Sequence, residues 1–127
     1  MNRTILLTGI LMAMTAIILG AFGAHGLEKL VDGEALDTFE TGVKYQMYHA
    51  LFLLFLGIWN GLAIKQKKTV FGLVLSGVIL FSFSIYALAT NSLSSFDFRA
   101  IGFLTPIGGL LMILGWVVLG YSVLKSR

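Results

Sequence analysis

Long runs without a charged side chain are the feature of this sequence that most restricts its fold. Thr4 to Ala24 is an uncharged run of 21 residues, and no charge occurs between Lys68 and Asp97 or between Arg99 and Lys125. A bilayer core is about 30 Å thick and is crossed by about 20 helical residues, so each run is long enough to span it. We therefore predict a membrane-spanning helix at each of these places.

A fourth apolar run extends from Tyr45 to Ile64, with Gln46, His49 and Asn60 as its strongly polar members. Only 12% of the residues in the chain are charged, whereas soluble domains carry about 25% charged residues. This is too little charge for the surface of a soluble domain. We predict an all-α fold, an integral membrane four-helix bundle that forms a single domain over residues 1–127. The predicted spans are about 4–24, 45–64, 69–90 and 103–124.

The first run also has features of a secretory signal, because Ala21-Phe22-Gly23-Ala24 at its end resembles a cleavage site. Its length exceeds the roughly 7 to 15 apolar residues of a signal, so we favour a retained span. The chain has no cysteine and therefore no disulfide framework or thiolate metal site. Its basic residues are divided among loops and form no single patch, so we expect no nucleic-acid partner despite a pI near 9.4.

The distribution of basic residues predicts an orientation. With a cytoplasmic N-terminus, four spans place six basic residues inside and three outside, which follows the positive-inside rule. The inside set is Arg3, Lys65, Lys67, Lys68, Lys125 and Arg127, and the outside set is Lys29, Lys44 and Arg99. All acidic residues then fall on the outer side. We predict a multi-pass protein of the cell membrane with both termini in the cytoplasm.

The segment between the first two spans has an apolar residue at every fourth position: Leu27, Val31, Ala35, Phe39 and Val43. This spacing predicts an amphipathic, extracytoplasmic helical segment that is broken near Asp32-Gly33, with Asp32 as an N-cap for the stretch leading into the second span. Thr105-Pro106 indicates that the regular part of the last span begins there, because Pro is favoured in a first helical turn.

Small residues predict which helix faces pack, because helices in lipid associate through close approach of their backbones. We read the Gly57-xxx-Gly61 pair as a seam within the bundle rather than a dimer motif, and Asn60 as an interhelical hydrogen-bonding residue. The predicted packing residues are Gly9, Ala13, Ala16 and Gly20 on the first span, Gly57, Asn60 and Gly61 on the second, and Gly108 and Gly109 on the fourth.

Three segments resemble a known family: Gly20–Leu27 (GAFGAHGL), Thr41–Ala50 (TGVKYQMYHA) and Thr105–Trp116 (TPIGGLLMILGW). Together with the layout of four spans, they are similar to the bacterial membrane family known as domain of unknown function 423, over essentially the whole chain. The resemblance implies a small multi-pass protein of the bacterial cytoplasmic membrane. It implies no activity, substrate, cofactor or catalytic residue.

Polar residues near the outer ends of the spans form a candidate pocket. Under the predicted topology, six side chains lie at about one membrane level: His25, Lys44, Gln46, His49, Arg99 and Thr105. Ionisable residues within a membrane are costly and often functional. His49 is the deepest of the ionisable residues, and histidine titrates in the physiological range, so a proton relay or pH sensor is one interpretation.

The alternative interpretation gives His49 a structural role, in which it bonds Thr105 or a carbonyl group of the first span and fixes the packing. His25 likewise fits a cap at a helix end. A metal site built from both histidines with Glu28 or Glu40 has no supporting motif, such as an i, i+4 His pair. We therefore predict no metal and no cofactor.

The sequence favours a binding or structural role over catalysis. No carboxylate lies within a span, and neither a phosphate-binding loop nor a Ser-His-Asp arrangement is recognisable, so we expect no enzyme. The leading hypothesis is a structural or accessory membrane-complex component, surrounded by membrane lipid, that assembles as a homo-oligomer or with a larger membrane complex. The alternative hypothesis is a small oligomeric transporter or channel component with its outer mouth at His25 and His49.

Overall fold

The computed structural model describes residues 1–125, and these residues form an all-helical fold. The sequence-based prediction of helical secondary structure is confirmed. The structure has four α-helices: α1 (Arg3–His25), α2 (Gly33–Ile58), α3 (Ile64–Ala89) and α4 (Leu104–Lys125). Short 3-10 helices lie in the connections, at Leu27–Lys29 between α1 and α2, and at Asn91–Leu93 and Phe98–Ile101 between α3 and α4.

Three of these helices are long and apolar enough to cross a membrane, namely α1, α3 and α4 with their adjoining turns. Helix α2 is not among them, although it has 26 residues. Its N-terminal half carries Glu34, Asp37, Glu40 and Lys44, and these charges lower the apolar content of its sequence. Composition alone therefore supports three spans.

Helix α2 begins where the sequence indicated. The predicted break at Asp32-Gly33 is present, and the amphipathic stretch after it continues without interruption into the predicted span as a single helix from Gly33 to Ile58. No proline interrupts this stretch, since the only one in the chain is Pro106. The predicted N-cap is present, because the Asp32 carboxylate accepts a hydrogen bond from the Ala35 amide at 2.7 Å.

Helix α2 ends earlier than predicted, and residues 59–63 form a turn. Asn60 and Gly61 therefore lie in an exposed turn and not on the packing face of a helix, which corrects their predicted role in helix packing. Both residue types are weak helix formers. The Asn60 side chain makes no hydrogen bond with any residue from 1 to 125. Lys67, predicted in a loop, instead lies in the first turn of α3.

Helices α1 and α2 are antiparallel and lie side by side along the whole of α1. At one end the Asn2 amide donates to the Gly57 carbonyl at 2.8 Å. At the other end a Cβ atom on Gly23 would lie 3.2 Å from the Phe39 ring. Between them, a Cβ on Gly9 would lie 2.9 Å from the Ala50 carbonyl oxygen, so the two backbones approach closely.

The other predicted packing residues of α1 contribute unequally to this contact. Ala16 is buried, whereas Ala13 and Gly20 are half-buried. A Cβ on Gly20 would meet the Val43 side chain at an ordinary distance of 3.5 Å. On α2, a Cβ on Gly57 would lie 2.8 Å from Leu6, so this glycine packs tightly against α1.

Helices α3 and α4 form the most extensive contact, and α2 packs against both α1 and α3. A Cβ on Gly108 would lie 2.6 Å from the Gly77 carbonyl oxygen, and a Cβ on Gly77 would lie 2.8 Å from that of Gly108. Only glycine permits this approach. Gly109 is looser, with the Phe81 ring 3.7 Å from its would-be Cβ. The main core contains Ile5, Phe52, Leu53, Leu56, Leu62, Val70, Val74, Val78 and Met112.

Candidate functional site

Helix α2 carries two buried polar side chains on the face that packs against its neighbours. Gln46 is 2% exposed and His49 is 6% exposed. They follow Phe39 and Gly42 on this face, which then continues to Leu53. The recurrence of buried residues every three or four positions is that of one helix face. The buried stripe of the amphipathic segment therefore continues directly into the polar centre of the molecule.

The Gln46 side chain joins three helices. Its Nε2 donates to the Met12 carbonyl at 2.8 Å and to the Thr15 hydroxyl at 2.7 Å, both on α1. Its Oε1 accepts a hydrogen bond from the Tyr86 hydroxyl on α3 at 2.6 Å. Both amide protons and the carbonyl oxygen are thus used. Gln46 acts as a crosslink at the centre of α1, α2 and α3.

A second connection between α2 and α3 lies beside this network. The buried Ser82 hydroxyl donates to the Gly42 carbonyl oxygen at 2.8 Å. A Cβ on Gly42 would lie 2.7 Å from the Tyr86 ring and 2.9 Å from the Ile85 side chain. Gly42 therefore lets α3 approach closely enough for both Ser82 and Tyr86 to reach their acceptors.

His49 connects α2 to α4. Its Nδ1 lies 2.8 Å from the Tyr45 carbonyl oxygen, and its Nε2 lies 3.1 Å from the indole Nε1 of Trp116. Because an indole N–H only donates, Nε2 must accept, and Nδ1 carries the proton that is donated to Tyr45. This arrangement requires the neutral imidazole. The Trp116 ring also packs on Phe52, with ring centroids 4.4 Å apart.

A lateral cavity of about 320 Å³ opens beside His49. Its wall is mostly aromatic and aliphatic, with few polar atoms. The lining residues are Tyr45, His49, Phe81, Gly109, Met112, Ile113 and Trp116. Because both ring nitrogens of His49 are bonded within the protein, the imidazole offers this cavity no free donor or acceptor.

Thr105 lies at the start of α4 and bonds the Ser84 hydroxyl of α3. Ser84 in turn donates to the Phe81 carbonyl at 2.9 Å. Helix α4 begins at Leu104, which places Pro106 in its first turn as the sequence indicates. Thr105 thus joins the beginning of α4 to the C-terminal part of α3.

The remaining residues of the candidate pocket are exposed. His25 is the last residue of α1, and Lys44 lies on the exposed face of α2. The Arg99 guanidinium pairs with Asp97 at 3.0 Å in the connection between α3 and α4. The hydrogen bond from Arg99 lowers the pKa of the Asp97 carboxyl to about 2. The structure therefore distributes the six predicted residues over separate surroundings.

The partners of Gln46 and His49 were not identified from the sequence. Tyr86 and Thr15 complete the network around Gln46, and Trp116 completes the His49 contact. One signal was available for Trp116, because it follows Gly108 and Met112 at intervals of four residues and so shares their helix face. No comparable signal selects Tyr86, because the order of helices around α2 is not visible in the sequence.

Hydrogen bonding accounts for the buried polar side chains of residues 1–125. Every buried side-chain nitrogen or oxygen in this part of the chain has a hydrogen-bond partner. Within the same residues, no group of three His, Cys, Asp or Glu side chains is arranged to hold a metal ion. Gln46, His49 and Ser82 bond to groups on other helices, whereas Ser122 bonds the Val118 carbonyl of its own helix.

Comparison with known proteins identifies the family. The sequence matches the family described as protein of unknown function (DUF423) over residues 19–109. The chain belongs to this family. The match includes Gln46, His49, Tyr86 and Thr105, and it ends before Trp116. The resemblance found in the sequence is therefore confirmed.

Several DUF423 relatives are similar over nearly their full length. The chain is 41% identical to a UPF0382 membrane protein of Staphylococcus saprophyticus, covering 97% of this chain and 98% of that protein. It is 34% identical to the UPF0382 membrane protein YwdK of Bacillus subtilis, over 97% and 98% of the two chains. For a UPF0382 membrane protein of Haemophilus influenzae the identity is 37%, over 87% and 86%.

These relatives are described as membrane proteins, and α1, α3 and α4 are each able to cross a bilayer. The protein is therefore a bacterial membrane protein of the DUF423 family with multiple helical spans. No solved structure matches the chain.

Proposed function

We propose that the protein is a structural or accessory component of the bacterial cytoplasmic membrane and not an enzyme. One observation carries the proposal: the buried polar side chains of residues 1–125 are bonded within the protein. A catalytic or transport site needs polar groups that are free to engage a substrate or solute. The crosslinks made by Gln46 and His49 instead stabilise a fixed arrangement of helices, as expected of a scaffold.

We propose four spans, with α2 as the fourth. Helix α2 lies beside α1 from Phe39, near Gly23, to Gly57, near Asn2. A helix that accompanies a spanning helix over its whole length occupies the same membrane depth. The polar residues of α2 favour this proposal because Gln46 and His49 bond to neighbouring helices and do not face lipid.

The proposed orientation has both termini in the cytoplasm. Five basic residues share the end of the molecule where α1 and α3 begin, whereas all acidic residues belong to the opposite end. Those basic residues are Arg3, Lys65, Lys67, Lys68 and Lys125. Arg127, the sixth residue in the predicted set, lies outside the described residues.

This topology is testable by labelling, because the chain has no native cysteine. We expect an impermeant maleimide to label Ser95→Cys, in the connection between α3 and α4, from outside intact cells. Asn60→Cys, in the opposite turn, should react only after the cells are opened. Labelling of Asn60→Cys in intact cells would contradict the proposed topology, because it would mean either the reverse orientation or that α2 does not cross the membrane. Labelling of both sites from outside would mean that α3 does not cross the membrane.

The sides of α1 and α4 that face away from the other helices are the surfaces available for assembly. They expose large apolar side chains, which favours contact with lipid or with further membrane helices. On α1 these are Leu7, Ile10, Leu11, Met14, Ile17 and Ile18, and on α4 they are Ile107, Leu110, Ile113, Leu114 and Val117. A helix from a larger membrane complex or from a second copy of this chain would fit such a face.

Gentle affinity purification from native membranes, followed by mass spectrometry, tests the accessory role. We expect a reproducible membrane-protein partner or a second copy of the chain, and the contact should be lost when α1 carries Ile10→Lys and Ile17→Lys. Matched changes on the exposed face of α4, at Leu110 and Val117, show which face is used. A monomer without a partner under mild extraction would contradict the proposal.

One observation favours a small transporter as the second candidate, namely the lateral cavity beside His49. Under this alternative, protonation of His49 would break its contact with Trp116 and alter the cavity. Purified protein in liposomes should then show a pH-dependent flux that His49→Gln abolishes. Absence of flux over a broad panel of solutes and pH values would exclude this alternative.

A further inference from the structure

The basic end of the molecule contains a buried ammonium group. Lys67 lies in the first turn of α3 and is only 7% exposed. Its Nζ donates to the carbonyl oxygen of Trp59, the C-cap residue that follows α2. Lysine is almost never buried unless it is paired, yet no carboxylate of residues 1–125 lies within ion-pair distance of this group. The charge of Lys67 is therefore not neutralised by this part of the protein.

A cavity of about 270 Å³ adjoins Lys67. It is lined by Met1, Asn2, Asn60, Leu62, Ile64 and Lys67. The Asn60 amide has no hydrogen-bond partner among residues 1–125. Asn2 uses its Oδ1 to cap α1, where it accepts from the Ile5 amide at 3.1 Å, and its Nδ2 remains available. Two amide groups and one ammonium group thus offer hydrogen-bond donors to the same space.

The surroundings of this cavity are also positive. Lys68 lines a neighbouring cavity of about 320 Å³ together with Asn2, and Arg3 and Lys65 belong to the same end of the molecule. The acidic residues belong to the opposite end, from Glu28 to Glu40 and at Asp97. A ligand here must therefore supply negative charge and hydrogen-bond acceptors.

We propose that this cavity binds the phosphate group of an anionic membrane phospholipid, such as phosphatidylglycerol. Lys67 supplies the charge, and the Asn2 and Asn60 amides supply further hydrogen bonds. Basic pockets between membrane helices are suited to anionic headgroups. The apolar side chains of Met1 and Ile64, which are 76% and 72% exposed, border the cavity and offer contact to acyl chains. The proposal requires membrane-spanning helices but neither the accessory role nor the proposed orientation.

Inorganic phosphate has the same acceptor chemistry as a headgroup, so the two sources must be separated. We favour the lipid because the cavity lies at the ends of apolar helices, where headgroups are present at high local concentration. A role for Lys67 confined to capping α2 would need the ammonium group as well, but it would confer no preference among lipids. Lipid preference is therefore the decisive measurement.

The experiment uses the full chain in nanodiscs with equal amounts of phosphatidylglycerol and phosphatidylcholine, and counts the lipids retained by native mass spectrometry. We expect wild type to prefer phosphatidylglycerol about fivefold and Lys67→Gln to lose this preference. Lys65→Gln is the matched control, because it removes the same charge from an exposed residue at the same end. This control should keep most of the preference.

A second variant guards against misfolding of Lys67→Gln. Asn60 is exposed, so Asn60→Asp should fold normally while placing a repelling carboxylate at the cavity, and it should also lose the preference. No preference in wild type, or an unchanged preference in either folded variant, would overturn the proposal. Displacement of phosphatidylglycerol by millimolar inorganic phosphate would overturn the lipid assignment, whereas retention would support it.

Discussion

The two interfaces on either side of α3 are built differently. Towards α4, glycine brings backbone against backbone, because Gly77 and Gly108 each leave no room for a Cβ on the other. Towards α2, side chains span the gap, since Tyr86 reaches Gln46 and Ser82 reaches the Gly42 carbonyl. The interface of α3 and α4 thus depends mainly on the absence of side-chain atoms. The interface of α2 and α3 depends on specific polar side chains.

This difference determines how each interface should respond to change. Backbone atoms cannot move without shifting a whole helix. A methyl group added at the interface of α3 and α4 therefore cannot be accommodated by local movement of side chains. A lost hydrogen bond at the interface of α2 and α3 leaves the helices where they are. Its cost is limited to one or two unsatisfied groups.

The largest effect is expected from Gly108→Ala. The new Cβ would lie 2.6 Å from the Gly77 carbonyl oxygen and would also clash with the Phe81 backbone. We expect the free energy of unfolding to fall by about 3 kcal/mol, despite the better helix propensity of Ala. Unfolding in mixed micelles, followed by circular dichroism, measures the change.

Two further glycine variants serve as controls. Gly120→Ala adds a methyl group to the same helix where nothing lies within 4 Å, and it should be neutral or slightly stabilising. Gly42→Ala meets the Tyr86 and Ile85 side chains, which can shift, so it should cost less than Gly108→Ala. Equal losses at positions 42 and 108 would refute the distinction between the two interfaces.

The second largest effect is expected from Gln46→Leu. This change keeps the size of the side chain but removes the bonds to Met12, Thr15 and Tyr86. We expect a loss of about 2 kcal/mol, because interhelical hydrogen bonds in membranes contribute about 0.6 to 1.7 kcal/mol each and unpaired partners remain. The same unfolding assay measures it.

A double-mutant cycle with Tyr86→Phe isolates one bond of this network. If Tyr86 stabilises the protein mainly through Gln46, then Tyr86→Phe should cost much less when Gln46→Leu is already present. Strictly additive losses would show that the Tyr86 hydroxyl acts independently of the Gln46 amide.

The sequence predicted the helices more successfully than it predicted their ends or partners. Uncharged runs identify the segments that lipid can surround, and they located α1, α3 and α4. They do not mark where a helix begins, so the predicted span covered only the part of α2 from residue 45, although the Asp32 N-cap indicated the start of the helix. Asn60 and Gly61 were assigned to a packing face for a related reason: the apolar run continues to Ile64 although the helix ends at Ile58.

The candidate pocket illustrates a different limit. The six residues were grouped by membrane level alone, which ignores the direction of each side chain around its helix. Gln46 and His49 are three residues apart, and at about 100° per residue their directions differ by about 60°. One therefore reaches α1 and α3, and the other reaches α4. The spacing in the sequence gave the angle between the two side chains, but it did not show which helix lies in the direction of each one.

A smaller effect is expected from Trp116→Phe, which removes the indole donor to His49 and keeps an aromatic ring against Phe52. We expect a loss of about 0.6 kcal/mol, because a single hydrogen bond is lost and the glycine contacts between α3 and α4 remain. Trp59→Phe is the control, since its indole N–H bonds no group within residues 1–125. A loss of several kcal/mol at Trp116 would mean that side-chain bonds also dominate the position of α4.

The smallest effect is expected from the ion pair between Asp97 and Arg99, in the connection from α3 to α4. The pKa of Asp97 is lowered in the folded state to about 2, and an unfolded Asp has a pKa of about 3.9. The pair therefore stabilises the fold above pH 4, and its contribution is lost as the pH falls towards 2. Because both side chains are exposed and only two residues apart, the contribution should be slight. Asp97→Asn should remove only a small part of the stability difference between pH 5 and pH 2, measured by unfolding. A large part would mean that this connection, and not the glycine contact, holds α4 against α3.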